Sequence, residues 1–277
     1  MSNEPRIMDI IRARHSVRSY RDEPIDGGTM AALLMVVDEC VRQSGLDIQI
    51  VPDNPEVFQL VARVGFVRGA TTHIAFVTDG RTQDETVGYW GQRLVLAAQA
   101  LGLNTCWVAF IARKKSHARV PAGKTLRIGI AVGHGTTQGS PRSTKSVAEL
   151  SAVECGETPE WFALAMEAAQ LAPTAMNNQH FRITLRADGR TVSAQATKNG
   201  AWDAVDLGIV KRNFEEAANE AGADWRWEQG EASTSPDVAA ALRAVADPDD
   251  GAEALEGDPP VGISTMQKLH SALASPL

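Results

Sequence analysis

Apolar positions return along this chain with two periods. Where they recur every three or four residues they predict amphipathic helices, and where they run together they predict buried strands. Asp26 is placed to cap a helix carrying Leu33, Leu34, Val37 and Val41 on one face, before a short β-rich run over residues 47–51. A second helix fits residues 55–62. The strand-like run 72–80 leads into a long amphipathic stretch in which Val87, Trp90, Leu94, Ala97, Ala98 and Leu101 share a face and Gly102 supplies the C-terminal cap. Residues 104–110 and 125–133 then read as buried strands, and a polar Gly/Ser/Pro loop follows through Ser146.

A second half starts near Thr158, predicted as N-cap with Pro159 as the first helical residue and Trp161, Leu164, Ala165, Ala168 and Leu171 on one face. FRITLR and TVSAQAT predict a hairpin around residues 187–190, residues 206–221 a helix ended by Gly222, and DWRWE a strand. This order repeats the first half. Gly88, Ala97, Ala98, Gly102 and Trp107 recur 120 residues later as Gly208, Ala217, Ala218, Gly222 and Trp227. Ser44, Asp47 and Gln49 align with Thr174, Asn177 and Gln179 at an offset of 130. Alternating helices and strands give an α/β or α+β class rather than a bundle or sandwich. The expected division is 1–150, 151–230, and an acidic, Ala-rich C-terminal tail at 231–277 whose composition offers little to a core.

A chain of 277 residues with 44% hydrophobic and 22% charged residues is long and apolar enough for a packed core. The net charge of −7, with no basic run to offset it, argues against a nucleic acid partner and leaves a small molecule as the expected ligand. No apolar run reaches the roughly 18–20 residues of a membrane span, and the first twenty residues lack a signal-peptide pattern, so the expected location is cytoplasmic, with no membrane partner. Three cysteines without metal or disulfide spacing argue against zinc; Cys40 and Cys106 read as buried and Cys155 as a loop residue.

Two phosphate motifs fail on spacing. The glycines of residues 133–139 stand one residue too far apart for a dinucleotide fingerprint, and Gly123-Lys124-Thr125 lacks the first glycine of a P-loop and precedes a strand. The informative segment is Arg14-His15-Ser16-Val17-Arg18-Ser19-Tyr20. Two guanidinium groups bind phosphate in bidentate fashion, a hydroxyl adds a neutral hydrogen bond, and extended alternation puts Arg14, Ser16 and Arg18 on one side. A solvated basic patch is the competing reading of these residues alone.

Arg-His-Ser-x-Arg after an N-terminal helix resembles the phosphate-binding segment of the FMN-dependent nitroreductase family. Residues 172–181, Ala-Pro-Thr-Ala-Met-Asn-Asn-Gln-His-Phe, look like that family's flavin-ring segment, although His180 and Phe181 replace its Pro and Trp. Gly102-Leu103-Asn104-Thr105-Cys106-Trp107 is similar to the family's glycine and Trp after the central helix, and residues 129–145 to its closing glycine loop. Since the ring segment lies some 150 residues beyond the first motif, the chain resembles the fused single-chain branch. The resemblance implies a three-layer α/β/α form of the α+β class, with two fused half-domains forming an intramolecular pseudo-dimer. It implies FMN as cofactor, NAD(P)H and a small electrophile as partners, and ping-pong turnover. The residues carried over for the cofactor are Arg14, His15, Ser16, Arg18, Ala109, Phe110, Arg142, Lys145, Pro173, Thr174, Asn177 and Gln179, with no catalytic residue assigned and no metal. A flavin-storing or sensing protein without turnover, or an interaction module that has lost FMN, stands as the alternative.

Overall fold

The computed structural model describes residues 6–228. The tail expected at 231–277 lies outside the described residues. In chain order the elements are α1 (Ile7–Ala13), α2 (Gly27–Ser44), β1 (Asp47–Val51), α3 (Gln59–Arg63), β2 (Thr72–Thr78), α4 (Asp84–Ala100), β3 (Asn104–Val108), β4 (Thr125–Gly133), α5 (Val147–Leu150), β5 (Ser151–Val153), α6 (Glu160–Gln170), β6 (Phe181–Leu185), β7 (Thr191–Ala196), α7 (Asp203–Glu220) and β8 (Arg226–Trp227). The class is α+β, as expected.

Local signals account for some element ends. The Asp26 carboxylate accepts from the Thr29 N–H at 3.0 Å and starts α2, and Gly45 ends it in the left-handed region. Asp188 accepts from the Arg190 and Thr191 N–H groups and closes the β6–β7 hairpin, with Gly189 at φ 69°. Other expectations need correction. Residues 55–62 divide into a 3-10 turn, Pro55–Phe58, and α3. Pro159 rather than Thr158 is the cap of α6, and α7 begins at Asp203, three residues before the expected start.

The first sheet has the order β1-β2-β4-β3 and is antiparallel throughout. Both its faces are covered. Ile74, Phe76, Ile128 and Ile130 belong to the core that includes α2 and α4, while Ala75, Val77, Leu126 and Ala131 meet Val57, Phe58 and Val61 on the other side. That is why β2 and β4 read as unbroken apolar runs. The second sheet, β5-β6-β7-β8, buries alternate residues such as Phe181, Ile183 and Leu185 against the helices. After β4 the chain crosses to this sheet, and β5 pairs parallel with β6, so a strand adjoining the first half completes the edge of the second.

Between the sheets, α4 and α7 lie side by side, crossing at Gly88 and Gly208. α4 is not amphipathic in its setting. Tyr89, Gln92, Arg93, Val95 and Leu96 are as buried as the predicted apolar face, because α7 covers the side that would otherwise meet water. Buried polar side chains pair between and along these helices: Gln92 donates to Asn213 at 2.9 Å, and Arg212 Nη2 meets Glu216 at 2.6 Å. One contiguous core runs from Ile7 to Trp227 across both halves.

The alignment of Ser44, Asp47 and Gln49 with Thr174, Asn177 and Gln179 does not hold. Gly45 and Leu46 alone join α2 to β1, whereas residues 171–180 join α6 to β6. The second half has a loop here that the first half lacks.

Candidate functional site

Residues 14–21 leave α1 in extended form because each backbone group finds a partner outside a helix. Val17 N–H donates to the Thr105 carbonyl at 3.0 Å, so the segment adds a short parallel pairing to the free edge of β3. Tyr20 N–H then bonds the Arg68 carbonyl and Arg21 N–H that of His134. The glycine loop after β4 packs on this segment. A Cβ on Gly135 would stand 2.6 Å from Asn104 Oδ1 and 2.8 Å from Val17, and one on Gly139 2.6 Å from the His15 Cβ. Only glycine permits that approach.

The loop over residues 171–180 comes from the other half. Met176, Asn177 and Gln179 all have positive φ, an unusual concentration of backbone strain outside glycine. Side chains hold it in place: Thr174 Oγ1 accepts from Gln179 N–H, Asn177 Nδ2 donates to the Ser143 carbonyl at 2.9 Å, and Lys145 Nζ donates to the carbonyls of Asn178 and Gln179. The loop after β4 and the loop after α6 are thus locked together.

Between them opens a cavity of about 850 Å³. Of the twelve residues expected at the site, Ser16, Arg18, Ala109, Phe110, Arg142, Pro173, Thr174 and Asn177 line it. Arg14, His15, Lys145 and Gln179 stand behind the wall. His15 packs on Gly139, and Gln179 accepts from the Lys145 N–H at 3.0 Å. Trp107, Val108, Trp202, Val205, Asp206 and Ile209 complete the inner wall, while Leu60, Val64, Phe66, Phe110 and Met176 form an exposed apolar rim. Of these, Trp107 stood in a recognised motif. Phe110 was among the expected cofactor residues and Met176 lay in the ring segment; the others had no sequence signal, the Asp206 side reading as an ordinary helix start and residues 60–66 as one more apolar helix.

Two guanidinium groups dominate the electrostatics. Arg14 Nη2 donates to the Leu171 carbonyl at 2.9 Å, and Arg142 Nη2 donates to the same oxygen and to the Ala172 carbonyl at 2.7 Å. These carbonyls end α6, so the helix dipole offers partial negative charge. It does not supply a counter-ion. Neither arginine meets a carboxylate among the described residues, and the Nε of each is buried without a hydrogen-bond partner. Burial, then repulsion from Arg142, pushes Arg14 down to about 9; burial also lowers Arg142. Arg18 is exposed at the cavity with its guanidinium 4.9 Å from the Phe66 ring centre.

Comparison with known proteins gives a concordant result. The model of the family described as "Putative TM nitroreductase" matches residues 6–218. Among solved structures, a putative nitroreductase from Thermotoga maritima is 18% identical with a TM-score of 0.57, covering 83% of this chain and 93% of that one. A putative nitroreductase in complex with FMN from Desulfovibrio desulfuricans is 24% identical at a TM-score of 0.42, covering 57% and 99%. A putative NADH dehydrogenase/NAD(P)H nitroreductase from Parabacteroides distasonis is 21% identical at 0.43, covering 53% and 97%. No curated protein matches the chain.

Proposed function

From the premise that the chain belongs to the putative TM nitroreductase family, and so to a family of oxidoreductases, we propose that it binds one FMN in the 850 Å³ cavity and passes electrons from NAD(P)H to a small electrophilic acceptor. The observation that carries this reading is a pair of arginines, Arg14 buried and Arg142 half-buried. Two cations that share the Leu171 carbonyl oxygen, keep an unpaired Nε each and meet no carboxylate among the described residues carry charge that a phosphate would neutralise. Their chemistry fits the group.

Arg142 would take the phosphate at the cavity wall, Arg14 would add positive charge from behind it, and the Ser16 hydroxyl would be a neutral donor. Pro173, Thr174 and Asn177 would meet the ring edge, and the backbone at Ala109 and Phe110 its reactive centre. Arg18 would favour negative charge gathering on the pyrimidine side. Lys145 and Gln179 act one step back, fixing the strained loop that carries Asn177. His15 supports the glycine loop. Bound FMN would supply a two-electron carrier that NAD(P)H can charge and an acceptor can discharge. One cavity with an apolar rim admits these partners in turn, which is ping-pong kinetics.

The site draws its residues from both halves, Ser16 and Arg18 from one and Thr174 and Asn177 from the other. We read the chain accordingly as an intramolecular pseudo-dimer, with half-domains at 1–150 and 151–230. The test is direct: protein purified with FMN is yellow, and anaerobic NADH or NADPH bleaches it. Colourless protein that takes up no FMN overturns the reading, and a flavin that neither nucleotide reduces leaves binding without turnover.

A further inference from the structure

An acceptor that receives a hydride gains negative charge and needs a proton. Among the described residues lining the cavity, the titratable groups are Arg18, Cys106, Arg142 and Asp206. Arg18 is exposed and lies over the Phe66 ring, and Arg142 Nη2 already donates to two carbonyls. The buried Cys106 thiol is pushed up to about 11. His15 and His180 lie outside the lining, and His180 is turned to Asp203 at 3.1 Å. Asp206 is left.

Its position suits the task. Asp206 is 6% exposed, lies on α7 among Trp202, Val205 and Ile209, and keeps both oxygens 2.9 Å from the Ala175 N–H, a neutral donor. No cation pairs with it. Asp203, the nearest charge, is one turn earlier and is held by the Gly200 N–H and His180. Arg127, whose guanidinium covers the Trp202 ring at 4.0 Å, is committed to Asp84 through two bonds of 2.7 Å. The cavity's own cations, Arg18 and Arg142, are engaged as described. Burial first, and then Asp203, raise the Asp206 carboxyl, the Ala175 N–H opposes them, and the result is about 7.

We propose that Asp206 is the proton donor to the acceptor reduced in this cavity, a catalytic role that rests on the flavin reading above. A hydride delivered to the acceptor, the chemistry that bound FMN would supply, would leave it with an unshared pair. The Asp206 O–H bond breaks, its proton joins that pair, and the carboxylate left behind accepts from the Ala175 N–H until water returns a proton. General acid catalysis of this kind is worth roughly 10²–10⁴-fold.

The experiment uses the full chain. With ¹³C-labelled aspartate, one carboxyl resonance of wild-type protein should titrate near pH 7 and be missing from Asp206→Asn; a wild-type spectrum in which no aspartate titrates above pH 6 overturns the proposal without reference to activity. In stopped-flow reoxidation of the reduced protein by 1,4-benzoquinone, the wild-type rate should fall above about pH 7. Asp206→Asn should be about 100-fold slower and flat with pH, and Asp206→Glu should regain a sloping profile. Wild-type protein that turns over with the same profile as Asp206→Asn overturns this proposal alone. Wild-type protein that takes up no FMN overturns the flavin reading and this proposal with it.

Discussion

Gly88 and Gly208 each lie against the backbone of the other's helix, in reciprocal fashion. A Cβ on Gly88 would stand 1.9 Å from the Val205 carbonyl oxygen, and one on Gly208 would stand 2.0 Å from that of Glu85. Glu85 and Val205 are 120 residues apart, as are the two glycines. A two-fold contact between identical subunits has this form, residue i on j and j on i.

Replacing either glycine with alanine should therefore force α4 and α7 apart, because the obstacle is backbone rather than a side chain that can rotate. Overpacking of this kind costs about 1–3 kcal/mol, and each kcal/mol lowers Tm by about 2–4 °C in a chain of this size. Thermal melts should show similar losses for Gly88→Ala and Gly208→Ala. A melting point unchanged in one and lowered in the other would break the equivalence.

The arginines should show stability and function pulling in opposite directions. Arg14→Met removes a buried cation while Arg142 still satisfies the Leu171 carbonyl, so the FMN-free protein should melt at the same temperature or higher. FMN affinity should fall about tenfold, roughly 1.4 kcal/mol, for the loss of one positive charge behind the phosphate. Arg18→Ala should weaken binding in the same range and also make the flavin harder to reduce. Titration calorimetry and redox titration read these outcomes.

Stoichiometry tests the pairing of the halves. One FMN per chain is expected, since the cavity takes its lining from both. A chain carrying Arg14→Ala and Arg18→Ala, mixed with one carrying Asn177→Ala, should not recover FMN binding. Recovery would mean that sites form between chains.

Asp206 makes stability depend on pH with a definite sign. Its folded value of about 7 lies above the usual aspartate range, near 4. Between these values the folded state binds the extra proton, so this group's contribution is full below about pH 4 and is lost as pH rises through 7. Chemical denaturation from pH 4.5 to 8 should show a downward slope in wild-type that is shallower in Asp206→Asn. Equal slopes would place the ionisation elsewhere.

What the sequence determined by itself was local. Periodicity located the helices and strands, because whether a face is apolar depends on residues three, four or two positions apart. Asp26, Gly102 and Gly189 marked ends for reasons confined to a single turn. The residue types from Arg14 to Arg18 raised phosphate chemistry beside a solvated basic patch and did not by themselves choose between them. Tertiary structure decided the rest. It set Arg14 and Arg142 on one carbonyl of α6, groups 157 and 29 residues from that oxygen, where burial turned two ordinary cations into an uncompensated pair. It wrapped α4 on every side, which an amphipathic reading cannot foresee when the second cover is a helix 120 residues on. It also gave Asp206 its proton affinity. The strength of a carboxylic acid is set by the dielectric and the charges around it, and for Asp206 those belong to the Ala175 loop, to Asp203 and to a cavity that exists only once the two halves have met.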